Sequence, residues 1–112
     1  MDKKLQIEGP LSQPALLAGL VEYQNQAIMS KTIFSRPGGN VTVFAFDAGQ
    51  GLSEHTAPFD AMVTVVDGEG EIVIQGQSHR VKTGEAILMP AGKPHAVEAR
   101  DRLKMLLLMI KS

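Results

Sequence analysis

Few side chains in this sequence can do chemistry, and the main candidates are imidazoles. Histidines stand at positions 55, 79 and 95, and there is no cysteine. That removes disulfides, thiolate nucleophiles and cysteine-type zinc sites together. An imidazole acts as a metal ligand or as a general acid–base near neutral pH. His55, His79, His95 and the carboxylate of Asp60 are the candidates for such a role. Two imidazoles alone fall short, because stable catalytic sites for a divalent metal supply about three protein ligands. Strict alternation turns Asp60 away from His55, but Pro58 could bulge the strand and rotate it inward. His79 shares a face with Val81, which is expected to point inward, although its reach to His95 is in question.

Each candidate also has a plain structural reading. Asp60 can accept backbone N–H groups beside a proline turn. His79 can be a hairpin residue, His55 a strand-entry residue and His95 a hydrogen-bonded core histidine. Ser53-Glu54-His55 brings hydroxyl, carboxylate and imidazole together in sequence. Adjacent residues on a strand point apart, however, so it does not make a hydrolytic triad. Asp67-Gly68-Glu69-Gly70-Glu71 is Gly-rich but lacks the Lys-Ser/Thr ending of a phosphate loop. Met62, Met89, Met105 and Met109 read as adaptable core packing. Thioether ligation of a soft ion such as Cu(I) stays open, with no spacing that selects it.

The elements that must hold these residues are strands. From residue 27 onward, short apolar segments alternate with turn chemistry. The segments expected are 28–34, 41–46, 61–66, 71–75, 78–82, 86–89, 95–99 and 103–110. Turns are expected at Pro37–Asn40, Gly49–Gly51, Asp67-Gly68, Gly76-Gln77, Thr83-Gly84 and Pro90–Gly92, with Asp67-Gly68 a strong hairpin signal. Residues 1–26 form an N-terminal arm, polar over 1–14, with a short helix over 15–23 as one option. The last segment is apolar on both faces, so a second layer or a partner subunit must cover its outside. A homodimer is the simpler expectation.

The spacing of glycines, histidines and one proline resembles the cupin superfamily, over residues 49–99. The first cupin motif reads G-x5-H-x-H-x3-E-x6-G. Here Gly49, His55 and Gly68 fall in place, while Ala57 and Ala61 stand at the second histidine and the glutamate. The second motif reads G-x5-P-x-G-x2-H-x3-N, matched by Gly84, Pro90, Gly92 and His95, with Ala99 in place of asparagine. The resemblance implies an all-β jelly-roll barrel over residues 27–112. It also implies a divalent transition metal (Fe, Mn, Ni, Cu or Zn) in a barrel pocket, of which His55 and His95 survive as ligands. The alanine pair would enlarge that pocket, with Ala57, Phe59, Ala61, Val63, Met89 and Val97 lining it. Such a lining suits a small, mostly apolar ligand with one polar handle.

Bulk properties narrow the function classes. The chain has 112 residues, the size of one domain, with 11 basic and 12 acidic residues. That balance gives no basic excess for nucleic acid or for an anionic membrane surface. The N-terminus lacks an apolar signal stretch, and a cytoplasmic location is expected. Three readings remain: a metal-assisted or metal-free cupin enzyme, a ligand-binding or sensory module without turnover, and, more weakly, a purely structural dimer.

Overall fold

The described residues form eight strands: β1 (Ile28–Arg36), β2 (Gly39–Phe46), β3 (Gly51–His55), β4 (Asp60–Ile74), β5 (Gln77–Lys82), β6 (Ala86–Met89), β7 (His95–Glu98) and β8 (Leu103–Ile110). The computed structural model describes residues 11–111. Residues 1–10 of the expected arm over 1–26 therefore lie outside the described residues. The segment at 15–23 carries a single 3-10 turn, Leu17–Gly19, closed by Leu20 N–H on the Leu17 carbonyl at 3.2 Å. Among the described residues no helix is long and apolar enough to cross a membrane.

All strand pairs are antiparallel. One sheet runs β1-β2-β8-β4-β6 and the other β5-β4-β7-β3. Strand β4 belongs to both. Its first half pairs with β6 and β8, and its second half with β5 and β7. This corrects the expected hairpin at Asp67-Gly68, where the strand continues instead. The register against β8 slips between Val65 and Asp67, which is a bulge. Gly68 takes φ +75°, and a Cβ there would lie 2.1 Å from the Arg102 carbonyl oxygen. Glycine is needed for both the bend and the close approach.

The inner faces of the two sheets meet over Phe46, Val63, Val65, Ile72, Leu103 and Met105, each almost fully buried. Burying side chains of this size stabilises the fold by roughly 1.5–3 kcal/mol each. The β-segment 103–110 carries apolar residues on both faces, and the structure shows what covers part of its outside. Val21, Ile33, Val43 and Ala45 form a second buried cluster with Leu20, Tyr23 and Leu106 packed against it. The chain before β1 is thus the second layer. Polar contacts fasten it. The Tyr23 hydroxyl donates to Asp67, and Arg102 and Lys104 lie 5.0 and 4.7 Å from its ring. Lys104 also donates to the Ala18 carbonyl at 2.6 Å. Burial, reinforced by the Asp67 carboxylate, pushes the Tyr23 phenol above its ordinary range. Hydrogen bonds from the Gln26 N–H and the Arg102 guanidinium hold the Asp47 carboxyl below its usual value.

Farther along the same outer face, no described residue before β1 packs over the sheet. Leu88 is 65% exposed and Ile110 55%. Between them in the sheet, Met62 pairs with both Leu88 and Leu108.

The bend in β4 gives a direct test. Gly68→Ala is expected to lower stability by about 2–3 kcal/mol in chemical denaturation, combining positive φ with the carbonyl clash. Gly84→Ala, at φ +90° with open space around it, is expected to cost only the conformational part, about 1–2 kcal/mol. Equal losses at both positions would contradict the close-approach role of Gly68.

Candidate functional site

His55 ends β3 and His95 begins β7, and the two are partners across the ladder. Their positions depend on two local devices. The first is a bulge in β3. Leu52 pairs with Val97 and His55 with His95, so three steps on β3 match two on β7. A regular strand would put Leu52 and Glu54 on one face and His55 on the other. The extra residue reverses that, and Leu52 and His55 line one cavity. The second device is the corner before β7. Asp60 accepts the Ala91 N–H at 2.9 Å, and the Ala57 carbonyl accepts the Gly92 N–H at 2.8 Å. Gly92 takes φ +76° at the tip. The corner is thus pinned to the segment that follows His55.

The imidazole rings sit 4.4 Å apart, centroid to centroid, at an interplanar angle of 68°. His95 is buried and His55 is exposed at the mouth. Nδ1 of His55 lies 2.8 Å from the Ser53 carbonyl oxygen, and Nδ1 of His95 lies 3.0 Å from that of Lys93. A carbonyl oxygen only accepts, so Nδ1 carries the proton in both rings. In the neutral imidazole this leaves the Nε2 lone pair as the free acceptor or ligand atom. Backbone carbonyls orient metal-binding histidines in the same way.

The cavity under these rings holds about 70 Å³. Its walls are Leu52, Ala57, Phe59, Ala61, Met89, Val97, Met105, Leu107 and Met109 besides the two histidines. Of the residues expected there, Ala57, Phe59, Ala61, Met89 and Val97 are on the wall. Val63 is not: it is fully buried in the core and does not reach the cavity. Leu52 also lines the cavity, a position the sequence does not signal because the β3 bulge has no local signature. Met105, Leu107 and Met109 lie on one face of β8, a grouping visible in the sequence without its destination.

The two auxiliary candidates lie elsewhere. Asp60 is exposed, and its carboxylate is occupied by the Ala91 N–H. The bulge expected at Pro58 to turn it inward occurs instead in β3. His79 pairs with Ile72 of β4, and Ile72 pairs on its other side with Val97. A whole strand therefore separates His79 from β7, one row away from His95. Among the described residues no three His, Cys, Asp or Glu side chains come together as a metal-ligand group. Methyl groups stand at positions 57 and 61, facing the imidazoles. This donor set does not fit the four-ligand divalent centre of Fe, Mn, Ni or Zn, and no chemistry is derived through one.

Comparison with known proteins agrees with the geometry. The cupin-domain family model matches residues 42–111, more than half of the chain. A conserved protein of unknown function from Streptococcus pyogenes is 37% identical, with a TM-score of 0.86, covering 100% of this chain and 96% of that one. A cupin 2 conserved barrel domain protein from Leptotrichia buccalis is 44% identical with a TM-score of 0.81. That match covers 84% of this chain and 46% of that one. A cupin superfamily protein from Desulfitobacterium hafniense, at 24% identity and TM-score 0.87, covers 98% of this chain and 100% of that one. This last likeness concerns the fold alone. No curated protein matches the chain.

Because Ala57 and Ala61 face the cavity, the missing ligands can be restored. Ala57→His/Ala61→Glu is expected to take up about one Zn(II) or Mn(II) per chain by elemental mass spectrometry, and the parent protein well below that. Failure of a folded double variant to hold metal would show that the alanines do not face the imidazoles as described.

Proposed function

The chain belongs to the cupin family, and on that premise we propose that its barrel cavity binds a very small ligand through the paired Nε2 atoms of His55 and His95. One observation carries this reading. Two imidazoles, each held through Nδ1 by a backbone carbonyl and so left with an unprotonated Nε2, line a cavity whose other walls are apolar. A lone pair in such a setting calls for an O–H or N–H donor or for a cation. The cavity size supports a ligand of only a few heavy atoms, since pockets for drug-sized molecules run to roughly 300–1,000 Å³. The organic form of such a ligand is mostly apolar with one donating handle.

Binding without turnover is the reading favoured here. The wall offers no carboxylate, hydroxyl or ammonium group beside the imidazoles. An enzymatic reading would have to use one ring as base and its neighbour as acid. The lack of cysteine fits a reducing compartment, and the cytoplasm is proposed on that ground.

We further propose a homodimer through the outer face of β6, β4 and β8. Leu88, Met62, Leu108 and Ile110 form an apolar stripe there, outside the cluster that the described N-terminal residues cover. Scattered exposed apolar residues are ordinary, but a contiguous stripe marks an interaction face.

Methyl-labelled NMR tests the cavity. Methanol, ethanol and other short-chain alcohols are expected to shift the Met89, Met105 and Met109 methyl signals together. The double change His55→Ala/His95→Ala is expected to weaken binding about tenfold, the worth of a hydrogen bond. Shifts confined to surface residues, or unchanged affinity in the variant, would reject the reading. For the dimer, light scattering is expected to give twice the chain mass for the parent and the chain mass for Leu88→Glu/Ile110→Glu. A monomeric parent would reject it.

A further inference from the structure

We infer that the cavity is a site for a soft monovalent cation, Cu(I), held by Nε2 of His55 and His95 together with thioether sulfur of Met89 and Met109. The inference rests on the reading of this cavity as the binding site, and it names what binds.

Strand register supplies the argument. Ala61 on β4 is paired on one side with Met89 of β6 and on the other with Met109 of β8. All three residues line the cavity. The side chain between the two methionines is a single methyl group. Long, flexible thioether chains from both sides therefore have room to converge over it. Both imidazoles line the same space with unshared Nε2 lone pairs. Hard oxygen donors are absent from the wall, and soft sulfur donors flank the position where a carboxylate would otherwise stand.

Charge and coordination preferences point the same way. A divalent ion buried among methyl groups bears a large desolvation cost, with no carboxylate to neutralise it. A monovalent ion bears less. Thioether and thiolate ligands select Cu(I), and imidazole also suits copper. Two nitrogen and two sulfur donors make a complete set for that ion. The cavity, about 70 Å³, accommodates an ion more readily than an organic molecule. If the methionines only fill the gap left by Ala61, exchanging them for leucine would be silent toward copper. The two roles are therefore separable.

The test is an anaerobic titration of full-length, tag-free protein with Cu(I) against the chromophoric chelator bicinchoninate. The expected result is one Cu(I) retained per chain. Met89→Leu/Met109→Leu, which preserves side-chain volume, is expected to lower affinity at least tenfold while circular dichroism and thermal unfolding stay close to the parent. His55→Ala/His95→Ala is expected to abolish retention. Ag(I), which is redox-inert, is expected to shift the Met89 and Met109 methyl signals in a 13C NMR spectrum. Parent-like copper affinity in the folded methionine variant would overturn the inference. If the histidine variant alone lost copper, the thioether assignment would fail while the imidazole cavity stood. Complete surrender of Cu(I) by the parent would also overturn the inference, leaving the organic ligand reading to its own NMR test. Equally tight Zn(II) binding by the parent would overturn the selectivity for a soft ion.

Discussion

Strand β4 is the constraint on which this structure depends. It contributes hydrogen bonds to four other strands and runs from one sheet into the other. A strand can change sheets only where its backbone turns sharply without losing its ladder, and a bulge supplies such a turn. Here the turn falls at Gly68, where a side chain would collide with the Arg102 carbonyl. Thr83 helps hold the bend, its hydroxyl donating to the Gly68 carbonyl at 2.7 Å. Because β4 is shared, residues on its inner face are placed against both sheets at once. Ala61 looks toward β6 and β8, whereas Ile72 and Ile74 lie beside β5 and β7.

The cavity follows from that arrangement. Its floor comes from β8 and the first half of β4, and its histidines come from β3 and β7. Neither histidine is oriented by its strand alone. The β3 bulge turns His55 inward, and the corner at residues 90–92 is tied to Ala57 and Asp60 by backbone N–H bonds. Asp60 therefore serves the site through the backbone, by fixing the loop that leads into His95. Carbonyl partners on both Nδ1 atoms then leave the Nε2 pair as the reactive edge.

Replacing a histidine and a glutamate by alanine changes more than ligand count. It removes negative charge and hydrogen-bonding capacity from the wall and leaves apolar space between two methionines. A site of this kind discriminates by softness and size. Water-like or hard cationic ligands gain little from methyl and thioether walls, whereas a polarisable ion or a small apolar molecule gains dispersion contacts. The N-terminal layer on the opposite face of the same sheet has a separate role. It covers Val43, Ala45 and Leu106, and so keeps the β8 face that backs the cavity from meeting water.

Much of this could be read from residue order. Alternating apolar residues and Gly/Pro turns locate nearly all the strands, because a strand's period and a turn's φ requirement are local properties. The family's glycines, proline and histidines place His55 and His95 in one barrel, and Ala57, Phe59, Ala61, Met89 and Val97 on its wall. Strand β3 and its bulge could not be read, since a one-residue slip arises from pairing with β7 some forty residues away. Asp67-Gly68 looks the same locally whether it makes a hairpin or a bulge; the partner strand β8 decides which. The same holds for the methionines. Their alternation fixes which face of β6 or β8 they occupy, but only the register of both strands against Ala61 puts Met89 and Met109 on either side of one methyl group. Local chemistry determined the elements. Nonlocal hydrogen-bond register, which no short stretch of sequence encodes, decided which side chains share the cavity.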